Sequence, residues 1–337
     1  MRIGIMLRTL HERGGVGVYA RYITEELLAR DRENEYVLYY LGRSHVGTFA
    51  HYPNVEERPL KTTNKAIWDQ FSVPIACRKD RIDVLFHPKF TVPLLAPCPS
   101  VMVLHGAGWF IPEHQKYWGA IDVRYLRLVM PLYCRRARAI LSVSNVTTDI
   151  FTRLFGLPEG KVKTVYLAPG KHFSRVEDAA VLDSVRKRYG LPEQFVFTLS
   201  KYPGGDRKNI DGIFAAYEAV HGTTDHKLVV GGKNCDKFRD DYDLPSDGFG
   251  KDVLFPGYIA QEDLPAVYSL ASVFLYPSNM EAFPIPVTEA MACGTPLITS
   301  TGNGLKEIAG EAAVLVDPRE HSAIAAALGH VLQNEDV

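Results

Sequence analysis

The sequence predicts two doubly wound α/β domains in tandem, each a twisted parallel sheet with helices on both faces. Short apolar runs alternate with helical patterns from one end to the other. Those runs are apolar on both faces, as strands are when helices cover a parallel sheet on both sides. The alternation breaks once, in the proline-, glycine- and polar-rich segment Ala168–Val176, and then restarts. A chain of 337 residues suits two domains of about 150 residues each. The expected domains are 1–170 and 177–337, with 168–176 as the linker.

The first series begins with a strand at Arg2–Leu7, a glycine loop, and a helix carrying Tyr19, Tyr22, Ile23 and Leu27 at helical spacing. Strands follow at Tyr36–Leu41, Asp83–Phe86, Val101–Leu104, Ala139–Val143 and Val162–Val165, with helices over Ala66–Arg78, Val123–Arg136 and Val146–Phe155. The second series places strands at Phe195–Leu199, Leu228–Gly231, Val253–Phe255, Val273–Tyr276, Pro296–Thr299 and Ala313–Val316. Helices near Ile210–Val220, Leu264–Ser269, Pro286–Ala292 and Ser322–Leu332 separate them. Right-handed crossovers turn each series into a Rossmann-like sheet. Ligands of such sheets bind outside the carboxyl ends of the strands, so the active site is expected in the cleft between the two domains.

Composition narrows the function. Hydrophobic residues make up 46% and charged residues 23%, an ordinary globular balance. The formal net charge of −1 provides no bulk attraction to nucleic acid or anionic membrane, so any basic site is local. The five cysteines are scattered without a Cys-x-x-Cys pair, as in a cytoplasmic protein with reduced thiols and no zinc site. The N-terminus is too short for a signal h-region, and no apolar run reaches the ~20 residues that span a bilayer. Arg124, Arg127, Arg135, Arg136 and Arg138 punctuate an apolar pattern downstream of Trp109, Phe110 and Trp118. The favoured reading is a core-facing helix with a solvated basic edge. The other is a basic amphipathic face in peripheral contact with the inner side of a membrane, where lipid-linked acceptors reside.

Two segments carry chemistry. Pro277–Gly294 reads as strand end, loop, and a helix that starts near Pro286 and stops at Gly294. The helix start is expected to aim free N–H groups and partial positive charge at a diphosphate. Glu281 on the loop and Glu289 one turn inside the helix would hold hydroxyls of a sugar and a ribose; by themselves they read more readily as acids complementing the helix dipole. Leu199–Asn209, L-S-K-Y-P-G-G-D-R-K-N, crowds Lys201, Arg207 and Lys208 onto a glycine turn, with Asn209 able to cap the next helix. That is a phosphate clamp or a solvated turn, with nothing local to choose between them.

The run from Leu199 to Pro318 resembles the C-terminal domain of the GT-B glycosyltransferases, specifically retaining family 4 (glycosyl transferases group 1). The matching pieces are R-K-N at 207–209, Gly231-Gly232, P-G-Y-I at Pro256–Ile259, and the signature Leu264–Gly294 with its Glu-x7-Glu pair, Glu281 and Glu289. E-I-A-G-E-A-A-V-L-V-D-P at Glu307–Pro318 also fits. G-G-V-G at Gly14–Gly17, V-L-H-G at Val103–Gly106 and L-S-V-S at Leu141–Ser144 extend the likeness more weakly through the first half.

The resemblance implies that a nucleotide diphosphate sugar is the donor substrate and that neither cofactor nor metal is needed. Lys208, Lys201, Arg207, Phe283, Pro284 and Ile285 would surround the diphosphate. Glu289, Tyr258 and Ile259 would serve the ribose and nucleotide. Glu281, His105 and Lys208 would be the catalytic groups, and Gly15, Val16 and Gly17 a loop near the phosphates or the acceptor. The implied partner is a glycan or lipid-linked acceptor, and the implied reaction moves a hexosyl unit, mannosyl or glucosyl, with retention.

Ala282 and Pro284 stand where the family carries glycine, and Gly106 where aspartate is frequent, so the donor-sugar pocket is expected to differ. The chain stops at Val337, before the helix with which family members return to the N-terminal domain; the expectation is either a shortened chain or one with compromised domain closure and stability. Two other functions stay open on the sequence: a GT-B sugar-nucleotide 2-epimerase, and a non-catalytic nucleotide-sugar-binding subunit.

Overall fold

A computed structural model describes residues 1–12, 15–62 and 64–334 of the chain. They form two compact units, Met1–Tyr166 and Leu167–Val337. The segment read as a linker falls inside the second unit: Phe173 is packed into its core, and the Val176 N–H bonds Ser269 Oγ at 2.9 Å.

The first unit holds seven strands: β1 (Arg2–Met6), β2 (Glu35–Leu41), β3 (Val55–Leu60), β4 (Val84–His87), β5 (Ser100–Leu104), β6 (Ala139–Ser142) and β7 (Val162–Thr164). They lie parallel in the order β3-β2-β1-β4-β5-β6-β7. The second unit repeats the plan with β8 (Phe195–Leu199), β9 (Lys227–Gly231), β10 (Val253–Gly257), β11 (Val273–Tyr276), β12 (Leu297–Ser300) and β13 (Val314–Val316). Their order is β10-β9-β8-β11-β12-β13, again parallel. Strand order reverses beside β1 in one sheet and beside β8 in the other. Loops leaving the two strands at such a point diverge to opposite faces and open a crevice at their carboxyl ends. Both expected Rossmann-like sheets are therefore present.

Three differences from the sequence reading have local causes. Strand β3, V-E-E-R-P-L, is an edge strand with charges and a proline, which guard an open edge but erase the apolar signature of a strand. The expected unbroken helix over Ala66–Arg78 contains a π turn at Trp68–Ser72, where the Val73 N–H reaches back to Trp68 O. Pro74 has no N–H for the ordinary i→i−4 bond, and the wider turn faces both Trp68 and Asp69 inward. Gly15, Val16 and Gly17, expected in a loop, are instead the first turn of the helix Gly15–Arg30, and Gly14 lies outside the described residues. Gly17 is required by packing: a Cβ there would sit 2.0 Å from the Glu12 carbonyl oxygen. That helix buries Gly17, Ala20, Thr24 and Leu28, which leaves Tyr22 exposed.

At the carboxyl ends of β1 and β4, Arg8 and Asp69 form a buried two-point ion pair, Nε to Oδ1 at 2.7 Å and Nη2 to Oδ2 at 2.9 Å. Thr91 Oγ1 donates to Asp69 Oδ2 at 3.0 Å, and His87 Nδ1 bonds Thr91 O at 2.7 Å. Burial drives the His87 pKa down to about 3, so this imidazole is neutral. Removing one partner of a buried ion pair strands the other charge away from water. Asp69→Ala should therefore lower the unfolding free energy of the first unit by about 3–5 kcal/mol in urea titration; a loss below about 1 kcal/mol would show that the pair is solvated.

Candidate active site

Strands β8 and β11 are neighbours, Val273 opposite Val196 and Phe274 opposite Phe197, at the point where the second sheet reverses its order. The segments that leave them, 200–209 and 277–284, carry the cations and the first acid of the sequence reading. They are joined through backbone groups. Ser278 Oγ donates to Arg207 O at 2.9 Å, and the Asn279 N–H to the same oxygen at 3.0 Å. Asn209, buried and left-handed at φ 58°, gives its side-chain amide to Pro277 O at 3.0 Å and Pro318 O at 2.7 Å. It does not cap the helix Ile210–Val220 as expected, because its amide holds two other loops instead.

This lacing sets Arg207 and Lys208, the end of a one-turn helix Gly205–Lys208, against Glu281. Arg207 Nη1 lies 3.0 Å from Glu281 Oε1, Lys208 Nζ bonds the same oxygen, and the Tyr276 hydroxyl donates to it at 3.1 Å. Lys208 Nζ also bonds the Tyr276 hydroxyl and stands 4.4 Å from the ring centroid. Burial lowers the Lys208 pKa to about 8, opposed by the Glu281 charge and reinforced by Arg207 and the nearby, exposed Lys201. Burial pushes the Glu281 carboxyl up, but attraction from Lys208 and Arg207 outweighs it and the net shift is downward. The loop bearing Glu281 is fixed from behind by Gly304, whose N–H bonds Glu281 O at 3.0 Å. A Cβ at Gly304 would sit 2.2 Å from Ala282 O, so a side chain there would push the loop away.

The helix start behaves differently from expectation. The helix spans Ile285–Ala292, but Pro284 and Pro286 have no N–H, and the Ile285, Val287 and Thr288 N–H groups already bond Phe283 O or Pro284 O. Its first turn thus presents dipole without free donors. The backbone N–H groups of Glu281 and Ala282, just ahead, bond no described residue. Gly294 does end the helix in a left-handed turn, φ 69°.

Glu289 is held apart from this cluster. It is 6% exposed, and its Oε2 accepts from the Tyr268 hydroxyl at 3.1 Å. Burial raises its pKa to about 7, only partly opposed by that hydrogen bond. Of the other expected nucleotide contacts, Tyr258 is exposed, Phe283 is buried, and the Ile259 side chain is core, packed over Gly231. In the first unit, His105 follows β5; its Nε2 lies 2.9 Å from Pro88 O and its ring meets Tyr19 edge to face at 4.8 Å. Burial lowers the His105 pKa to about 4, so Nε2–H donates to that carbonyl and Nδ1 is left as an acceptor. Sequence reasoning missed Tyr276, Tyr268 and Gly304: the tyrosines sit in segments that read as core strand and helix, and Gly304 in a helix, Asn303–Ala309, that the pattern did not show.

The elevated Glu289 pKa fixes a sign. The folded unit takes up a proton below about pH 7 that the unfolded chain binds only near its ordinary value of 4.5, so this group lowers stability as pH rises through that window. Glu289→Gln should raise the unfolding free energy of the second unit at pH 8 by on the order of 2–3 kcal/mol and change it little at pH 5. Equal effects at both pH values in urea titrations would show that Glu289 ionises normally.

Comparison with known proteins follows the same division. Residues 13–168 match Glycosyltransferase Family 4, and residues 183–337 match Glycosyl transferases group 1. The O-antigen chain mannosyltransferase B of Escherichia coli is 31% identical over 267 residues, 76% of this chain and 66% of that protein. The mannosyltransferase WbdA of the same species is 25% identical over 71% of this chain, but the match spans only 30% of its own length. Among solved structures, sucrose-phosphate synthase from Thermosynechococcus elongatus superposes with a TM-score of 0.76 at 19% identity, covering 100% of this chain and 90% of that one. Anabaena HepE, solved with UDP and glucose, gives a TM-score of 0.76 at 18% identity, with 100% and 91% covered. With both halves matched and each sheet built as that fold requires, the chain belongs to the group 1 glycosyltransferases of the GT-B type.

Proposed function

We propose that this chain is a retaining hexosyltransferase that moves a mannosyl unit from a nucleotide diphosphate sugar to an acceptor hydroxyl of a growing polysaccharide or glycolipid. The observation that carries the reading is the convergence of Lys208, Arg207 and Glu281 at the strand-order reversal of the second sheet. Relatives named as O-antigen chain mannosyltransferases and a GDP-mannose-dependent phosphatidylinositol monomannoside mannosyltransferase support the donor sugar and both acceptor classes. HepE bound to UDP-glucose supports a nucleotide sugar as donor. A cytoplasmic location is part of the proposal, since all five cysteines are buried and unpaired thiols. Among the described residues, no helix is long and apolar enough to cross a membrane.

In this mechanism the bond between the sugar C1 and the diphosphate oxygen breaks while the acceptor oxygen bonds C1 from the same face. The acceptor proton passes to the departing phosphate oxygen. Negative charge grows on the diphosphate, and Lys208 and Arg207, prepositioned and partly dry, are charged to receive it. Lys208 has one donor beyond its bonds to Glu281 and Tyr276, Arg207 has donors outside its pair, and Lys201 adds a mobile cation at the rim. Glu281, kept ionised by these cations, faces the electron-poor sugar and accepts from its hydroxyls. Glu289 takes the ribose hydroxyls, and His105 offers Nδ1 to a hydroxyl of the sugar substrates. The positive charge comes from the chain itself, and no metal is assigned a part.

Lys208→Ala and Glu281→Ala should each lower GDP-mannose hydrolysis and transfer by about 10²–10³-fold, with Tm shifts that leave the fold intact. Unchanged rates in folded variants would remove these roles. Tight GDP-mannose binding by the native chain, with no turnover against any acceptor, would instead favour a binding subunit.

A further inference from the structure

At the carboxyl ends of β4 and β5 the first unit carries a row of half-buried rings beside a half-buried ion pair. The segment leaving β4 bears Lys89 and Phe90. The segment leaving β5 passes His105 and then two short helical turns, Gly108–Phe110 and Pro112–Tyr117, which place Trp109 and Trp118. Backbone groups pin the two segments together: the Val103 N–H donates to Lys89 O at 3.2 Å, and His105 Nε2 to Pro88 O at 2.9 Å. The Phe90 ring lies 5.2 Å from that of Trp109, and Trp109 lies 5.0 Å from Trp118. Phe90 and Trp109 rest on the core, yet all three rings stay partly open to solvent. The core below is filled by Phe110, which packs on Phe151 and Phe155 at 5.5 and 5.4 Å. Buried Trp68 gives its indole N–H to Tyr40 O at 3.2 Å, whereas those of Trp109 and Trp118 bond no described residue.

The ion pair sits at one end of this row. Lys89 Nζ stands 5.5 Å from the Phe90 ring centroid and bonds Glu12 Oε1 at 2.5 Å. Burial lowers the Lys89 pKa, opposed by Glu12 and reinforced by Arg8 and Lys65. Glu12 is fixed from behind: its N–H donates to Thr9 O at 2.8 Å, and its carbonyl oxygen lies against Gly17. Glu12 Oε2 accepts from no described residue, and Lys89 keeps donors beyond its bond to Oε1.

Charge identifies what this row meets. The buried cations at these strand ends are each matched by an acid, Arg8 by Asp69 and Lys89 by Glu12, while Lys65 is exposed to water. A phosphate is held by unmatched cations, so a neutral pair gives it little. A sugar hydroxyl donates and accepts at once, and the pair offers Oε2 for the first and Nζ for the second. The rings supply the other half of a pyranose. Its C–H groups, slightly positive, rest on the electron-rich faces of aromatic side chains. Aromatic walls with a few placed polar groups are the ordinary make-up of a small-ligand site.

We propose that this row binds the neutral glycan end of the acceptor, with Trp109 and Trp118 against its pyranose rings and the Glu12–Lys89 pair on its hydroxyls. The acceptor is then recognised through sugar and not through phosphate. The inference rests on the glycosyl-transfer reading only in calling that sugar an acceptor. Of the three tryptophans, Trp68 is fully buried, so ligand-dependent emission reports Trp109 and Trp118. The full chain, without nucleotide sugar, is titrated with α-linked mannotrioses of different linkage, maltotriose and mannose 6-phosphate. At least one trisaccharide should change the emission saturably, and mannose 6-phosphate should bind more weakly. In saturation-transfer NMR, Trp118→Ala and Glu12→Gln should each weaken trisaccharide binding by about tenfold or more, as loss of a hydrogen bond to a charged group does. Trp118→Phe, which keeps a ring, should retain most of it, so a misfolded Trp118→Ala chain does not decide the test. No response to any trisaccharide, or full binding by folded Glu12→Gln, overturns the proposal. So does tighter binding of mannose 6-phosphate that Lys89→Ala abolishes, which would give the pair to an anionic acceptor. The titration reads no sugar transfer, so its failure leaves the proposed reaction untouched.

Discussion

The second unit is organised around one carboxylate, Glu281, held by Lys208, Arg207 and the Tyr276 hydroxyl where its sheet reverses strand order. A buried carboxylate carries a large desolvation cost unless charges and donors converge on it. Three groups do so here, from segments about seventy positions apart in the chain, and backbone bonds through Ser278, Asn279 and Asn209 hold those segments in place. The cluster therefore constrains two loops at once. Its cations remain available to a ligand because each has donors beyond those it spends on Glu281.

The two acids of the Glu-x7-Glu pair lie eight positions apart and in opposite electrostatic settings. Glu281 sits among cations and is driven toward the ionised form; Glu289 faces a neutral tyrosine in an apolar shell and is driven toward the protonated form. A neutral carboxyl can donate as well as accept, whereas an ionised one only accepts. In the proposed reaction this separation of two chemically identical groups by environment would let the donor site treat two kinds of hydroxyl differently.

The first unit uses the same plan for other ends. The carboxyl ends of β1 and β4 are filled by the Arg8–Asp69 pair and the neutral His87, a fully buried polar knot rather than an open anion site. His105 follows β5 with its Nε2 on Pro88 O, and the outward side of the helix Ala120–Arg136 carries apolar and basic side chains together.

The sequence by itself determined the two parallel sheets, the family, and the presence of Lys201, Arg207, Lys208 and Glu281 at strand ends, because apolar runs and a long contiguous signature are local properties of a chain. Edge strand β3 escaped it because charges that protect an edge also hide it. Only the tertiary structure decided that Asn209 ties loops instead of capping a helix, that prolines empty the helix start of donors, and that Glu289 is a near-neutral acid beneath Tyr268. It alone decided which side of the helix Ala120–Arg136 meets solvent, since both of its faces carry apolar residues at helical spacing. Hydrogen-bond partners, desolvation and the choice between two apolar faces depend on groups brought together from distant positions, and no local pattern encodes them.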